Sequence, residues 1–192
     1  LFNTLNAIST LIVVKDSQRA DAMVHKLSEF LRYSLKEDPM GLNSLENELR
    51  ATALYLDIEK VRFAERLQLV TEIEPDVMNA EVPSLIFQPL VENAVKYAVA
   101  DREMGGRIVL TAGLEGNTLL LKVLDDGPGL SSALLAKLTL GEEFQVDSGL
   151  GLSNTRKRLY HLYGDAGQLE FSQADIGGLS VCIRLPFVAI PF

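Results

Sequence analysis

The sequence predicts an α+β fold in which a helical region precedes a sheet with helices of its own. Three observations lead to this prediction. Roughly the first sixty residues have the apolar spacing of helices, and from about residue 67 the chain changes to short alternating strands. The stretch from Gly113 to Thr118 has the composition of a hairpin turn, so at least part of the sheet is expected to be antiparallel.

The helical region is predicted to contain two long helices joined by a short turn. In the first, apolar residues recur at steps of four and three, the spacing of a helix that packs against another helix. These residues are Leu1, Leu5, Ile8 and Ile12. Pro39 and Gly41 then interrupt the helical pattern, and Asn43 or Ser44 can cap a second helix that runs to about Phe63.

The second part of the chain is expected to combine strands with helices. Apolar residues that alternate with polar ones between turn signals predict the strands. The predicted strands are residues 67–74, 107–114, 118–125 and 179–187, and the predicted helices are residues 83–100 and 154–163. Strands interspersed with helices indicate an α+β unit. No internal repeat or low-complexity tract is present in the sequence.

The composition limits the class of protein. With 192 residues and 47% hydrophobic content, the chain is long enough for one or two globular units with a sizeable core. Its formal charge of -8 disfavours general binding to nucleic acid or to anionic lipid, because both need a positive surface field. No apolar run reaches the roughly 18 residues needed to cross a bilayer, so membrane attachment is expected only through segments absent here.

The single cysteine and the first residue add two expectations. Cys182 lies in an alternating run, which predicts a buried thiol, and a single cysteine without a disulfide framework indicates a reducing compartment. The sequence has neither a disulfide framework nor the cysteine spacing of a zinc site. It opens on Leu1 rather than on methionine, and we expect it to be a piece of a longer protein.

The stretch from Leu90 to Val99 carries polar side chains on an otherwise apolar helix. At 100° per residue, one side of this helix is an apolar stripe formed by Phe87, Val91, Ala94, Val95 and Ala98. Glu92, Asn93 and Lys96 fall on the other side. Taken alone, such a polar face is more commonly a solvated surface than a binding site.

Two glycine-containing motifs follow this helix. After the third predicted strand, Asp125 is followed by Gly127 and Gly129, a backbone that lets a flat ligand approach a carboxylate closely. Further on, residues 148–159 place two glycines before a helix predicted to begin near Asn154, and such a turn offers free N–H groups to phosphate. Each glycine motif alone is more often an ordinary turn or helix cap. Chance seldom supplies the polar helix and both glycine motifs in this order.

Together these motifs resemble the nucleotide boxes of the GHKL ATP-binding superfamily and, within it, the LytS-like branch of the sensor histidine kinases. Residues 89–97 resemble the N box of that branch, residues 125–129 its G1 box and residues 149–159 its G2 box. The opening LFNTLN resembles the end of its phosphoacceptor motif, and RYSL and YLDIEKVRF resemble its next helical segments. The resemblance covers essentially the whole chain.

The resemblance implies two domains and two cofactors. Residues 1–65 are expected to form a helical hairpin of the dimerisation type, a partial dimerisation and histidine-phosphotransfer region. Residues 66–192 are expected to form the GHKL catalytic domain, a two-layer α/β sandwich of the Bergerat type with a mixed, largely antiparallel sheet. The expected cofactors are ATP and Mg²⁺.

Carried over residue by residue, the resemblance assigns the polar helix face to catalysis. Asn93 would bind the Mg²⁺ ion that bridges the ATP phosphates, and oxygen ligands suit this hard cation. Glu92 and Lys96 would line the same pocket, with Lys96 reaching phosphate oxygens. Tyr97 stands where the family has His or Tyr and is expected beside the nucleotide.

The resemblance assigns the two glycine motifs to the base and to the lid that covers the phosphates. Asp125 would accept a hydrogen bond from the adenine 6-amino group, which selects adenine because guanine presents an oxygen there. Gly127 and Gly129 would give the base its room. The lid is expected at about residues 130–148 and should move as ATP enters and leaves. The residues implied for the lid, its boundaries and its helix are Leu130, Gly149, Leu150, Gly151 and Asn154.

The chain departs from the family pattern at two positions. Relatives that hydrolyse ATP have a glutamate as general base where this chain has Pro89, so transfer to a protein side chain is favoured over hydrolysis. Leu179 stands where the family usually has Thr, which puts a phosphate or lid contact in doubt.

The histidine that the family phosphorylates would lie two residues before Leu1, so this fragment is expected to bind ATP without phosphorylating itself. Neither histidine of the chain matches that motif. His25 is expected to have a surface or interface role, and His161 to be a packing residue. Asn3 would lie one helical turn after the absent histidine, and our hypothesis is that its carboxamide orients the imidazole ring of that histidine.

The resemblance therefore implies the catalytic core of a two-component sensor histidine kinase. The phosphoryl group would pass from ATP to the upstream histidine and then to an aspartate of a response-regulator receiver domain. The helical hairpin would pair with a second copy in a four-helix bundle that buries Leu5, Ile8 and Ile12. Two alternatives stay open at this stage. One is a degenerate ATP-binding dimeric scaffold without kinase activity, and the other is a hydrolytic GHKL ATPase.

Overall fold

The structure is a computed structural model that describes residues 2–36, 38, 41–139 and 149–190. Its helices are α1 (Phe2–Val13), α2 (Ser17–Lys36), α3 (Leu45–Phe63), α4 (Gln88–Ala94), α5 (Ser132–Thr139) and α6 (Gly149–Tyr163). Its strands are β1 (Leu42–Ser44), β2 (Leu67–Ile73), β3 (Glu81–Pro83), β4 (Gly106–Glu115), β5 (Thr118–Asp125), β6 (Gln168–Gln173) and β7 (Leu179–Pro186). A π-helical segment, Val95–Ala100, continues α4.

The helical region contains three helices, so the prediction of two long helices is wrong. The first predicted helix is interrupted between Val13 and Ser17, where Lys15 has a φ of 63°. Asp16 then accepts a hydrogen bond from the backbone N–H of Arg19 at 3.3 Å and so caps the start of α2. Three successive β-branched residues before this cap, Ile12, Val13 and Val14, weaken the helix at that point.

Helix α3 follows the prediction closely. Ser44 is its N-cap, and the Ser44 side chain accepts a hydrogen bond from the backbone N–H of Asn47 at 3.3 Å. The helix ends at Phe63, where it was expected to end. The local signals at both ends therefore determined this helix.

The main sheet has five strands in the order β2-β4-β5-β7-β6. β2 pairs parallel with β4, and the other three pairings are antiparallel, so the predicted mixed, largely antiparallel sheet is confirmed. The hairpin predicted at Gly113 to Thr118 joins β4 to β5, with Glu115 paired to Thr118. The prediction missed β6, although its Leu169 and Phe171 alternate with polar residues, and also the short pair β1 and β3.

One face of the sheet is covered by helices, which gives the two-layer arrangement. Along β5 the residues alternate between buried and half-buried, as expected for a sheet with one face in the core. The apolar stripe predicted on the central helix is buried: Phe87, Val91, Ala94, Val95 and Ala98 are at most 3% exposed. Leu45, Leu56 and Phe63 of α3 belong to the same core, so α3 packs on the α/β unit. Cys182 is buried, as predicted.

A second apolar cluster joins the three N-terminal helices. It consists of Ile8, Met23, Leu27, Phe30 and Ile58. Ile58 lies on α3, which also contributes to the main core. Helix α3 therefore connects the helical region to the sheet through packed side chains.

Replacing Ser44 by Ala is expected to lower the free energy of unfolding by about 1 kcal/mol, because it removes the N-cap of α3. Urea denaturation monitored by circular dichroism measures the change. Ser28→Ala is the matched control, since Ser28 is exposed inside α2 and its hydroxyl donates only to the Val24 carbonyl. Equal effects of the two substitutions would contradict the capping role.

Candidate functional site

Asp125 lies at the end of the central strand β5 and its carboxylate is buried, with the residue 6% exposed. Its Oδ1 accepts hydrogen bonds from the backbone N–H groups of Gly127 at 2.8 Å and Leu179 at 3.3 Å. Among the described residues, no donor reaches the other oxygen, Oδ2. Burial raises the pKa of Asp125, and the two backbone hydrogen bonds only partly offset this effect.

Glycines surround this carboxylate because the backbone passes close to it. A Cβ added at Gly127 would lie 2.8 Å from Asp125 Oδ1 and 3.1 Å from the Cα of Ala98. A Cβ at Gly178 would overlap both the side chain and the carbonyl oxygen of Asp125. Gly129 has a φ of 65°, a conformation that favours glycine. The motif after β5 is therefore a close-packed cradle around one carboxylate.

The polar side of the central helix is open, as its sequence predicted. Glu92 and Lys96 are exposed, while Asn93 is half-buried. Asn93 donates from Nδ2 to the Pro89 carbonyl at 2.8 Å, and no donor among the described residues reaches its Oδ1. Lys96 Nζ lies 5.0 Å from the centre of the half-buried Tyr97 ring. An anchored amide therefore presents an oxygen beside a cation.

Glu92 lies close to helix α3 as well as to Asn93. Its carboxylate accepts a hydrogen bond from Gln88 Nε2 at 2.8 Å. Burial raises the pKa of Glu59 on α3, and the negative charge of Glu92 adds a smaller increase. Glu92 therefore belongs to the boundary between the helical region and the α/β unit.

Helix α6 begins at Gly149, so the prediction of a helix starting near Asn154 is wrong by more than one turn. Gly149, Leu150 and Gly151 form its first turn, where backbone N–H groups have no partner within the helix. The sequence reasoning treated the two glycines as a loop, because glycine disfavours helix interiors. Asn154 is exposed on the second turn.

Of the predicted lid, residues 140–148 lie outside the described residues. Leu130 is half-buried, and residues 132–139 form α5, whose start is capped by the Ser131 hydroxyl. Arg156 of α6 donates from Nη2 to the Leu138 carbonyl at 2.7 Å. Helix α5, inside the predicted lid, is therefore tied to helix α6, which follows the lid.

The central helix brings the three motifs together. A Cβ at Gly127 would touch Ala98, near the end of the π-helical segment. A Cβ at Gly151 would lie 3.5 Å from Cβ of Pro89, in the first turn of α4. The nine residue steps from Pro89 to Ala98 span roughly 13 Å at the rise of an α-helix. The carboxylate cradle therefore lies at one end of this helix and the start of α6 at the other, with Asn93 between them.

Two arginines that the sequence motifs did not predict hold the end of the central helix. Arg102 donates from Nη1 to the side chain and the carbonyl of Asp126, both at 2.8 Å. Arg66 donates from Nη2 to the Val99 carbonyl at 3.2 Å and the Arg102 carbonyl at 2.6 Å. The pairing of such distant residues gives no local sequence signal. These contacts satisfy carbonyls at the π-helical segment, a geometry frequent at functional sites.

The histidines and Leu179 complete the positions singled out by the sequence. His25 is an exposed surface residue 3.8 Å from Asp21. His161 is exposed on α6, so its prediction as a packing residue is wrong, because this helix turns its Leu159 side inward instead. Asn3 is exposed on α1. The backbone of Leu179 contacts Asp125, which places this position at the carboxylate end of the site.

A hard divalent cation fits this site only with additional ligands. Within the described ranges, no three His, Cys, Asp or Glu side chains converge into a metal cluster. Mg²⁺ commonly takes only one or two protein ligands and completes its shell with phosphate oxygens and water. The free oxygen of Asn93 fits the part of such a single ligand. In the part of the chain that the structure describes, no helix combines the length and apolarity needed to span a bilayer.

The fold, helices followed by a mixed sheet with one helix-covered face, is that of the ATPase domain found in histidine kinases. The family described as "Histidine kinase-, DNA gyrase B-, and HSP90-like ATPase" matches residues 79–189, and the family described as "Histidine kinase" matches residues 1–67. The chain belongs to the first of these families, whose match covers more than half of it.

Curated relatives and solved structures agree with this assignment. The chain is 33% identical over 185 residues to the sensor protein LytS of Staphylococcus haemolyticus, covering 94% of the chain and 31% of LytS. It is 32% identical to the sensor histidine kinase BtsS of Escherichia coli, covering 97% of the chain and 31% of BtsS. The catalytic domain of histidine kinase ThkA superposes with a TM-score of 0.61 at 18% identity, covering 78% of the chain and 98% of that domain. The chain thus spans about a third of the length of these curated relatives.

Replacing Asp125 by Asn is expected to stabilise the protein at neutral pH. The amide keeps an oxygen for the two backbone donors and removes a buried charge. Because burial raises the folded pKa of Asp125, the folded protein binds the proton more tightly, and the contribution of Asp125 to stability falls as pH rises through that pKa.

The advantage of Asp125→Asn should therefore shrink as the pH is lowered through the raised pKa. Thermal unfolding of both proteins over a pH series measures it. Asp101→Asn, a change at an exposed carboxylate, serves as the control. A wild type that is more stable than the Asp125→Asn variant at every pH would contradict the desolvation argument.

Proposed function

We propose that this chain is the ATP-binding catalytic core of a two-component sensor histidine kinase. It transfers the γ-phosphoryl group of ATP to a histidine just upstream of Leu1, and the group then passes to an aspartate of a response regulator. The observation that carries the proposal is the alignment of Asp125, Asn93 and the start of α6 along one helix. Residues 1–65 act as part of the dimerisation and phosphotransfer region, and residues 66–192 act as the catalytic domain.

The Asp125 end of the site binds the adenine base. The carboxylate is buried, and its Oδ2 accepts no hydrogen bond from the described residues, so it is suited to accept one from an exocyclic amine. Guanine presents a carbonyl oxygen at the corresponding position, which would repel the carboxylate and leave it unpaired. Gly127 and Gly129 keep side chains away from the base.

The opposite end of the site binds the phosphates and Mg²⁺. Asn93 supplies one oxygen ligand to the ion, and Lys96 offsets phosphate charge from the same exposed helix face. The first turn of α6, at Gly149, Leu150 and Gly151, offers backbone N–H groups and a positive dipole end to the phosphates. Mg²⁺ supplies charge neutralisation for phosphoryl transfer, and the protein supplies positioning.

Transfer is favoured over hydrolysis because no general base stands at the start of the helix. Pro89 occupies the position of the hydrolytic glutamate, and its carbonyl instead anchors the Asn93 amide. Pro89 also packs next to Gly151 of α6. At position 89 the site therefore has no side chain that can take a proton from water.

The helical region offers a surface for a second copy of the chain. On α1, Leu5 is 52% exposed and Ile12 62% exposed, and Val13 and Val14 extend this apolar surface. Ile8 is 7% exposed and packs on α2 and α3, so it belongs to the interior of one chain rather than to the interface. We propose that these exposed residues form the homodimer interface. The response regulator would bind beside the helices, and the whole unit would lie in the cytoplasm.

Replacing Asn93 by Ala is expected to reduce Mg²⁺-dependent ATP binding at least tenfold, because it removes the proposed metal ligand while α4 stays folded. Isothermal titration calorimetry with and without Mg²⁺ measures the change. Asn117→Ala, in the exposed hairpin turn, is the matched control. An unchanged affinity in the Asn93 variant would remove the metal assignment.

Replacing Asp125 by Asn is expected to weaken ATP binding about tenfold and to let GTP compete, because the amide can donate to the guanine oxygen. Competition of ATP and GTP against a fluorescent nucleotide measures both effects. Circular dichroism confirms that the variant is folded, and Asp101→Asn again serves as the control. Continued exclusion of GTP at full ATP affinity would show that Asp125 does not recognise the base.

A further inference from the structure

We propose that Glu48 of α3 and Arg158 of α6 are positioning residues that clamp the segment Ser84–Ile86 and thereby fix the start of the nucleotide helix α4. Three residues separate β3 from Phe87, which precedes α4. This inference rests on the proposed function, because it assigns the clamp to ATP binding. Glu48 lies outside the three nucleotide motifs, and Arg158 lies within the stretch that resembles the G2 box but has no role assigned to it there.

Glu48 holds the segment from the helical side. The residue is 1% exposed, and its Oε2 accepts a hydrogen bond from the backbone N–H of Ile86 at 3.0 Å. Its Oε1 accepts one from the Tyr33 hydroxyl on α2 at 3.2 Å. Asn43 in turn donates to the Tyr33 oxygen at 2.8 Å. A buried charged acceptor thus connects α2 and α3 to the residue just before α4.

Arg158 holds the same segment from the other side. It donates from Nη1 to the Ser84 carbonyl at 2.5 Å and from Nη2 to the Gly41 carbonyl at 3.3 Å. The Ser84 backbone N–H also donates to the Gly41 carbonyl at 3.1 Å. Arg158 lies on α6, whose first turn faces Pro89, so one helix contacts both this segment and the first turn of α4.

The clamped segment adopts a conformation that needs outside support. Leu85 has a φ of 57°, which is unfavourable for a leucine and persists only where surrounding contacts determine it. Its neighbours Ser84 and Ile86 are at most 2% exposed, and each is hydrogen-bonded by one of the two charged residues. The clamp therefore balances the backbone strain at Leu85.

The consequence is a physical connection between three parts of the kinase core. Glu48 links the segment to α2 and α3, and Arg158 links it to α6 beside the lid. Loosening either contact lets the first turn of α4 shift, and Pro89 and Asn93 shift with it. Phosphate and Mg²⁺ binding then weaken, although neither Glu48 nor Arg158 is among the residues proposed to contact the nucleotide.

The test combines ATP affinity with amide hydrogen exchange in the 192-residue chain. Glu48→Leu leaves the Ile86 N–H without its acceptor, and it is expected to weaken Mg²⁺–ATP binding about tenfold by calorimetry. Exchange of the amides of residues 86–93 should accelerate, while the amides of β4 and β5 keep their wild-type rates. Glu48→Gln, which retains an acceptor oxygen, should restore most of the affinity. Glu46→Leu, at an exposed position of α3, is the matched control.

Arg158→Met tests the other side of the clamp and keeps the proposal falsifiable if Glu48→Leu does not fold. It should weaken ATP binding three- to fivefold, because it removes the donor to the Ser84 carbonyl and so loosens the segment before α4. Arg50→Met, at an exposed arginine, is its control.

Three results would overturn the clamp. They are unchanged exchange in residues 86–93, uniform acceleration of exchange across the sheet, and wild-type ATP affinity in a variant whose α4 has loosened. A wild-type chain that does not bind ATP would instead refute the proposed function. In that case the exchange measurements still decide whether Glu48 and Arg158 hold the start of α4.

Discussion

The packing of the central helix on the five-stranded sheet is the constraint on which the rest of the structure depends. Five apolar residues of this helix are almost fully buried: Phe87, Val91, Ala94, Val95 and Ala98. Because these residues must face the sheet, Glu92, Asn93 and Lys96 are turned away from it. The same packing brings Ala98 against the glycine loop after β5 and Pro89 against the start of α6. A hydrophobic stripe therefore determines where the polar groups of the site lie.

The Asp125 carboxylate shows what the proposed recognition of a base would cost in stability. A buried carboxylate with one free oxygen is costly, since only part of its lost hydration is replaced by the hydrogen bonds from Gly127 and Leu179. Glycines at 127 and 178 let the backbone approach closely enough to provide those bonds. Under the proposed function, a ligand that donates to the remaining oxygen would supply the missing hydrogen bond, and a ligand without such a donor would leave it unmade.

The helical region and the α/β unit are joined by more than a linker. Helix α3 contributes Leu56 and Phe63 to the main core and Ile58 to the cluster of the N-terminal helices. Glu48 on the same helix connects to the segment before α4, and Arg66 after it connects to the end of the π-helical segment. The helix that carries Asn93 is therefore held at both ends by residues from α3 or its immediate continuation.

The sequence by itself determined the α+β class, four of the five strands of the main sheet, the cap and end of α3, and the apolar and polar sides of the central helix. These features depend on periodicity and on capping over a few residues, which are local properties. Its motifs also selected the residues now found along one helix, although the roles of those residues are still predictions. The helical first turn of α6 was missed because Gly149 and Gly151 disfavour helix by local propensity. The break at Lys15 was also missed.

The tertiary structure alone decided which distant residues meet. Glu48 reaches Ile86, Arg158 reaches Ser84, and Arg66 reaches Val99 across separations of 33 to 74 residues. Such pairs leave no local pattern, since each is formed only when the whole core brings two backbone segments together. The exposure of His161 and the burial of Ile8 within one chain were decided in the same way, by which helix faces found partners.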